Sequence, residues 1–104
     1  MIDSTLKELF DQVERYVTPL IASDPESKLS KEENKILALQ QINRLNQKIG
    51  LIARSNKNEM VDMKALQTFV NSITIGVKND NVPQIKYGLT QVRNMISSLS
   101  KQTG

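Results

Sequence analysis

The side chains that could do chemistry in this sequence are carboxylates, amides, lysines and arginines. Its 104 residues include no histidine and no cysteine, which excludes imidazole general bases, nucleophilic triads, thiolate chemistry and ordinary zinc sites. The four glycines are isolated from one another and form no phosphate-binding loop. We therefore expect a protein that is not an enzyme and that holds no cofactor and no metal.

Two pairs of carboxylates remain as candidates for acid–base chemistry. Asp11 and Glu14 are three residues apart, but the apolar residues beside them belong to a helix face that should be buried, which places the pair on the flank or outer face. Glu32 and Glu33 suit the first turn of a helix, where the helix dipole favours negative charge. Solvated ion pairs and helix capping explain both pairs, so neither predicts catalysis.

The basic residues are unevenly distributed along the chain. The first 52 residues contain seven Lys or Arg and eight Asp or Glu, whereas the remaining 52 contain seven and three. Lys86, Arg93 and Lys101 follow Asp80 with no further acid. This pattern predicts either a solvated basic face or contact with something anionic, such as a lipid headgroup or an acidic partner. Nucleic acid is not expected, because Tyr87 alone does not provide a stacking surface beside a dense basic stripe.

A polar run from Arg54 to Glu59 interrupts the apolar pattern in the middle of the chain. It is most economically a bend between two helices, because the apolar patterns on either side set its ends. A role for Arg54 and Lys57 in contacting a partner is the alternative interpretation.

Helices must position these residues. Apolar residues recur at three- and four-residue steps in four segments, which is the period of one helix face, and the β-branched run from Phe69 to Val77 is the one doubtful stretch. Each helix has one apolar stripe and the connections look short, so the sequence predicts a single all-α domain, an antiparallel four-helix bundle. The expected helices are 5–18, 25–54, 62–78 and 82–99, followed by a polar tail at 100–104.

Capping residues and prolines give the expected boundaries of the first two helices. A capping box begins at Thr5, and Pro19 should end or kink the first helix. The second helix begins either at Asp24-Pro25 or at the capping box that starts with Ser30, and the sequence does not decide between them. Its expected apolar stripe consists of Ile36, Leu39, Ile42, Leu45, Ile49 and Ile52.

The last two helices have equally local boundary signals. Asp62 is the expected cap of the third helix, with Val61 and Leu66 forming a hydrophobic staple around it. The stretch "KNDN", residues 78–81, predicts a turn, because Asn and Asp side chains bond to the local backbone and tolerate left-handed conformations. Asn81 is then expected to cap the fourth helix.

The N-terminal segment lacks the basic start and the apolar stretch of a signal peptide, and no segment approaches the roughly 18 apolar residues of a membrane span. We therefore expect a cytoplasmic protein. A transient, charge-assisted contact at the inner face of the membrane is compatible with the basic C-terminal half.

The stretch "NRLNQKIGLIARSNK", residues 43–57, followed by a capped amphipathic helix and the "KNDN" turn, resembles the immunity proteins of pediocin-like bacteriocins, the enterocin A immunity type. In that family the stretch is the end of the second helix and its bend into the third. The similarity extends across most of the chain, including "LKELFDQV" in the first helix, "SDPESK" in the following loop, the length and the basic balance.

The resemblance implies a cytoplasmic four-helix bundle that protects a Gram-positive cell from a membrane-permeabilising peptide. Family members are thought to act on the complex of the peptide with its receptor, the mannose phosphotransferase permease, and the C-terminal half governs which peptide is recognised. On that basis a recognition surface is expected at Lys86, Tyr87, Arg93, Asn94 and Lys101. The chain departs from the family in one respect, because family members often have an aromatic-rich C-terminal region and here a single tyrosine follows Phe69.

A second hypothesis is a helical adaptor or assembly domain of an unrelated intracellular complex. The unbroken three- and four-residue apolar pattern of the fourth helix would equally serve to bind a partner helix.

Overall fold

Four helices make up the part of the chain that the structure describes. The computed structural model describes residues 4–22, 30–55, 58 and 60–102. Within these ranges, the side chains of residues 5 to 99 are described. Across these residues there is no strand, and the β-branched run of the third helix is helical, so the all-α prediction is confirmed. The helices are α1 (Ser4–Ala22), α2 (Lys31–Ser55), α3 (Met60–Lys78) and α4 (Val82–Gln102).

The helices pack in chain order around one core, and α1 completes the ring by contacting α4. Residues 39–46 of α2 lie beside 71–78 of α3, and residues 50–54 lie beside 60–67, so these two helices run antiparallel. The interior consists of one stripe from each helix, as the three- and four-residue pattern predicts. The buried apolar residues are Leu6, Phe10, Val13, Val17, Ala38, Ile42, Leu45, Ile49, Met63, Leu66, Val70, Ile73, Val77, Ile85, Leu89, Val92, Ile96 and Leu99.

Two glycines bring α3 and α4 close together. A Cβ atom on Gly76 would lie 2.8 Å from Cγ1 of Ile85, and one on Gly88 would lie 2.5 Å from Cγ1 of Ile73. Only a residue without a side chain leaves room for these contacts. Gly76 of α3 lies beside Ile85 of α4, whereas the earlier Ile73 of α3 lies beside the later Gly88 of α4. These two helices therefore also run antiparallel.

Helix α1 does not end at Thr18 as the sequence predicted. It continues through Pro19 to Ala22, although a proline inside a helix removes one hydrogen bond and costs about 3 kcal/mol. Leu20 and Ile21 are partly buried and pack against the core beyond the proline, and the burial of apolar surface acts against that cost. Packing of the apolar stripe therefore overrides the local signal.

Helix α2 begins at Lys31, after the second of the two possible caps. The backbone N–H of Glu33 donates to Oγ of Ser30 at 3.1 Å, as a capping box requires. The alternative start at Asp24-Pro25 lies outside the described residues. Ile36 was expected in the core, but its side chain is 56% exposed. Asn34, two residues earlier, is buried instead.

The ends of the last two helices also differ from the prediction. Helix α3 begins at Met60, so Asp62 lies within its first turn and is not its cap, and Val61 is 79% exposed and forms no staple. Helix α4 continues to Gln102, so the first three residues of the expected polar tail are helical, while residues 103 and 104 lie outside the described chain.

The "KNDN" stretch forms the turn that the sequence predicts. Asp80 has a φ of 54°, and the N–H groups of Asp80 and Asn81 donate to the carbonyls of Val77 and Gly76 at 3.4 and 2.8 Å. These bonds make a Schellman motif that closes α3. Oδ1 of Asn81 accepts the N–H of Gln84 at 3.2 Å, which confirms Asn81 as the cap of α4.

Asp80 also joins this turn to the start of α2. Its Oδ1 lies 3.0 Å from Nζ of Lys35 and 3.4 Å from Nζ of Lys31. The hydrogen bond from Lys35 is the main cause that lowers the pKa of the Asp80 carboxyl below its ordinary value of 3.8. Partial loss of solvent raises this pKa, and the hydrogen bond and charge of Lys31 lower it further. The ion pairs therefore link α2 to the α3–α4 turn.

Acidification is expected to remove the stabilisation that Asp80 provides. Because the pKa of Asp80 is lower in the folded protein, its contribution is present above the ordinary value of 3.8 and is lost as the pH falls through the folded pKa. Asp80→Asn keeps a side chain that tolerates the left-handed conformation but carries no charge. Urea unfolding should show the variant less stable at neutral pH and equal to the parent protein in strong acid. A difference that does not change with pH would contradict the assignment.

Candidate functional site

The outer face of α4 carries most of the residues expected to recognise a partner. Lys86, Tyr87, Arg93 and Asn94 are all exposed there, because the buried residues of α4 occupy the opposite face at three- and four-residue steps. Lys101 lies on the last turn of the same helix, and its side chain is outside the described part of the structure. The fold therefore brings four of the expected residues onto one surface, which we call the α4 face.

Arg93 has a partner within the bundle. Its Nη2 lies 2.6 Å from Oε2 of Glu14 on α1, and the Arg93 side chain is 54% exposed. The pair lies beside a groove of about 300 Å³ between α1 and α4, which is also lined by Phe10 and Ile96. An exposed ion pair of this kind contributes about 0–1 kcal/mol. Because Glu14 partly neutralises Arg93, Lys86 is the more available of the two cations on the α4 face whose side chains are described.

Tyr87 is fixed by an aromatic neighbour on α3. Its ring stands edge-on to that of Phe69, with the ring centroids 6.2 Å apart and an angle of 67° between the planes. Such a pair contributes about 0.5–1.5 kcal/mol beyond the area it buries. Tyr87 nevertheless remains 54% exposed. It therefore presents a pre-positioned aromatic surface beside Lys86.

Arg54 does not join the α4 face. It lies near the end of α2, where its Nε donates to the carbonyl oxygen of Gly50 at 3.3 Å. It lines a depression of about 390 Å³ between α2 and α3, together with Met60 and Lys64. Since α2 is diagonal to α4 in the ring, one partner residue cannot contact Arg54 and Lys86 together. Lys57, the other cation of the polar run, lies outside the described residues.

A polar groove between α2 and α3 was not anticipated from the sequence. It encloses about 370 Å³ and is lined by Leu39, Ile42, Asn43, Asn46, Asn71, Thr74 and Lys78. Within the described part of the chain, Oδ1 of Asn46 is buried and accepts no hydrogen bond. The signal was present in the sequence, because Asn43 and Asn46 occupy the edge of the α2 stripe, where a bundle usually has apolar residues. We call this feature the amide groove.

The described residues contain no group of three or more acidic side chains that could hold a metal ion. None of the four helices is both long enough and apolar enough to cross a membrane in the part of the chain that the structure describes. The surfaces described above carry charged, aromatic and amide side chains.

Comparison with known proteins adds no relative to this description. No protein-family model, curated protein or solved structure matches the chain.

Proposed function

We propose that this protein is a bacteriocin immunity protein, a binding module that protects its cell from a pediocin-like peptide by acting at the complex of the peptide with the mannose phosphotransferase permease. The observation that carries the proposal is the resemblance of residues 43–57 to that family, together with a four-helix bundle whose last helix exposes a basic and aromatic face. The protein acts from the cytoplasm, at or near the inner face of the membrane.

The α4 face supports this function in its chemistry. Lys86 and Tyr87 provide an exposed cation beside a rigid aromatic ring, and Asn94 lies two turns further along the same helix. Aromatic and basic side chains on a rigid element are typical of the residues that dominate protein interfaces. The helix is held by the glycine contacts with α3, so the surface is largely ordered before a partner binds.

Protection of a sensitive strain tests the proposal directly. Expression of the chain in a pediocin-sensitive Gram-positive strain is expected to raise the concentration needed for killing by at least one peptide of a pediocin-like panel. Lys86→Glu should reduce that protection, because it reverses the more available of the two described charges of the α4 face, whereas Arg15→Glu on the outer side of α1 should not. Unchanged killing across the whole panel, with the protein shown to be folded and present, would overturn the proposal.

The region that sets specificity can be located in the same assay. Exchange of residues 60–104 with those of a protective immunity protein should transfer the range of peptides against which the cell is protected. If the set of peptides against which the cell is protected were instead determined by residues 1–59, the placement of the recognition surface on the C-terminal half would be contradicted.

The adaptor hypothesis is favoured by a different observation. The outer side of α3 exposes Val61 and Ile75 at 79% and 49%, and its residues 65–77 include no charged side chain, which is typical of the centre of an interface. An adaptor is expected to bind its partner through α3 without protecting the cell from any of the peptides. The killing assay therefore separates the two functions.

A further inference from the structure

We propose that the outer side of α2 binds a second copy of the chain, with the two α2 helices antiparallel across a two-fold axis between positions 43 and 44. The exposed residues of this surface, which we call the α2 face, are Glu33, Ile36, Gln40, Asn43, Arg44, Gln47, Leu51 and Arg54. The α4 face stays exposed in such a dimer, because α2 and α4 are diagonal in the ring. The inference does not depend on the immunity function, since association and protection from killing are measured separately.

The α2 face is complementary to itself when one copy is reversed. In a two-fold contact, residue i of one copy meets residue j of the other, and residue j meets residue i. Residues equally far from the midpoint between positions 43 and 44 therefore face each other. The facing pairs are Glu33 with Arg54, Ile36 with Leu51, and Gln40 with Gln47. One pair joins opposite charges, one joins two apolar side chains and one joins two amides, and each occurs twice in the dimer.

The apolar pair accounts for two large side chains that the bundle leaves in solvent. Ile36 and Leu51 are 56% and 53% exposed. They lie towards opposite ends of the α2 face, so one reversed copy covers both of them. Removing this apolar surface from water favours association.

The charged pair sets the direction of the two helices. Glu33 and Arg54 are both exposed, and neither side chain is in an ion pair with another described residue. A reversed copy brings each of these charges to its opposite. A parallel copy would instead place two glutamates at one end and two arginines at the other, which is unfavourable.

The length of the α2 face allows all of these contacts to form together. Residues 33 to 54 span about 32 Å, so each end lies about 16 Å from the axis. At a crossing angle of about 20°, the helix axes are displaced sideways by about 5 Å at the ends, which glutamate and arginine side chains can span. A strip about 10 Å wide is smaller than the roughly 800 Å² per partner of a standard interface. We therefore expect a weak dimer, with a dissociation constant on the order of 0.1 mM.

The outer sides of the other helices lack this complementarity. In its described part, α1 exposes no large apolar side chain. A reversed pair of α3 helices can set Val61 against Ile75, but it joins no opposite charges, because Lys64 then faces an uncharged residue. The exposed charges of α4 in the described chain are all positive, so two such faces repel each other. These differences assign the second copy to α2.

Sedimentation equilibrium tests the association itself. With a dissociation constant on the order of 0.1 mM, the protein should be mainly monomeric at about 10 μM and mainly dimeric at about 1 mM. A protein that is still monomeric at the higher concentration would overturn the proposal. Ile36→Ser and Leu51→Ser should each weaken the association, because each exposes polar surface where the dimer buries an apolar pair.

Charge variants test whether the two ends of the α2 face meet. Glu33→Arg and Arg54→Glu should each weaken association about tenfold, because each sets like charges against each other twice. An equimolar mixture of the two variants should recover the parental association, since the mixed dimer restores both ion pairs. Glu8→Arg makes the same charge change on the outer side of α1 and should have no effect. With circular dichroism showing both variants folded, a mixture that associates no better than its components would contradict the antiparallel arrangement.

Introduced cysteines test the register, because the chain contains none of its own. A disulfide requires Cα atoms within about 7 Å. Gln40→Cys mixed with Gln47→Cys should form a cross-linked dimer on mild oxidation. Each variant alone should cross-link at least tenfold more slowly, since equal positions lie about 10 Å apart along the helices. Equal rates for the mixture and for the separate variants would show that the copies are not joined across this axis.

Discussion

Leu45→Ala is expected to destabilise the protein by about 2–5 kcal/mol, the range found for removing a buried leucine side chain from a packed core. Leu45 has no exposed surface and lies in the middle of α2 within the single cluster that all four helices form. Because a domain of this size is stabilised by about 5–15 kcal/mol in total, the variant should lose a large fraction of its margin. Urea unfolding monitored by circular dichroism measures the change.

Leu51→Ala is the matched control for that experiment. Leu51 lies on the same helix and is 53% exposed, so the same substitution should change the free energy of unfolding by no more than about 0.5 kcal/mol. Equal losses at the two positions would mean that α2 packs against the bundle in a different rotation from the one described.

Gly88→Ala is expected to destabilise the protein by about 1–3 kcal/mol although alanine is the better helix former. The added methyl group would lie 2.5 Å from Cγ1 of Ile73 and 3.2 Å from the carbonyl oxygen of Phe69. Extra volume in a tightly packed contact costs about 1–3 kcal/mol, and α4 would have to move away from α3 to accommodate it. A lower midpoint of urea denaturation, with a shift of the Ile73 methyl signals, should report this movement.

Gly50→Ala is expected to have the opposite effect. A Cβ atom there would meet the nearest side-chain atoms, those of Gln67 and Arg54, at 3.8 and 3.9 Å, which is ordinary contact. The substitution should therefore raise the free energy of unfolding by about 0.5–1 kcal/mol, the difference in helix propensity between the two residues. If Gly88→Ala and Gly50→Ala changed the free energy of unfolding in the same direction, that result would contradict the close approach of α3 to α4.

The sequence was sufficient to predict the helices and most of their core, because these depend on a repeating apolar pattern that is visible in one dimension. Asn81 as the cap of α4 and the left-handed turn residue were also predictable, since both follow from interactions within a few residues. The expected end of α1 at Thr18 and the expected burial of Ile36 were wrong, because both depend on packing between helices. The helix continues past Pro19, where the partly buried Leu20 and Ile21 pack against the core.

The surfaces were less predictable than the fold. The exposure of the residues of the α4 face followed from helical spacing, and their expected role in recognition came from the resemblance to the immunity proteins. The pairing of Arg93 with Glu14 joins positions 79 residues apart and has no local signature. The amide groove requires the register between α2 and α3, which places Asn43 and Asn46 beside Asn71. No pattern within a single helix encodes that register.

The contact of Arg93 with Glu14 also bears on the order in which the chain assembles. Helices that follow one another in the sequence are joined by short connections. The contact between α1 and α4 joins residues 79 positions apart, so it closes a loop that contains most of the chain. The entropy lost on closing a loop grows with its length, and α1 and α4 contact each other less than the other adjacent pairs do. The α1–α4 boundary is therefore where transient opening of the native protein should begin, and amide hydrogens along it should exchange with solvent sooner than those between the two glycine-bearing helices.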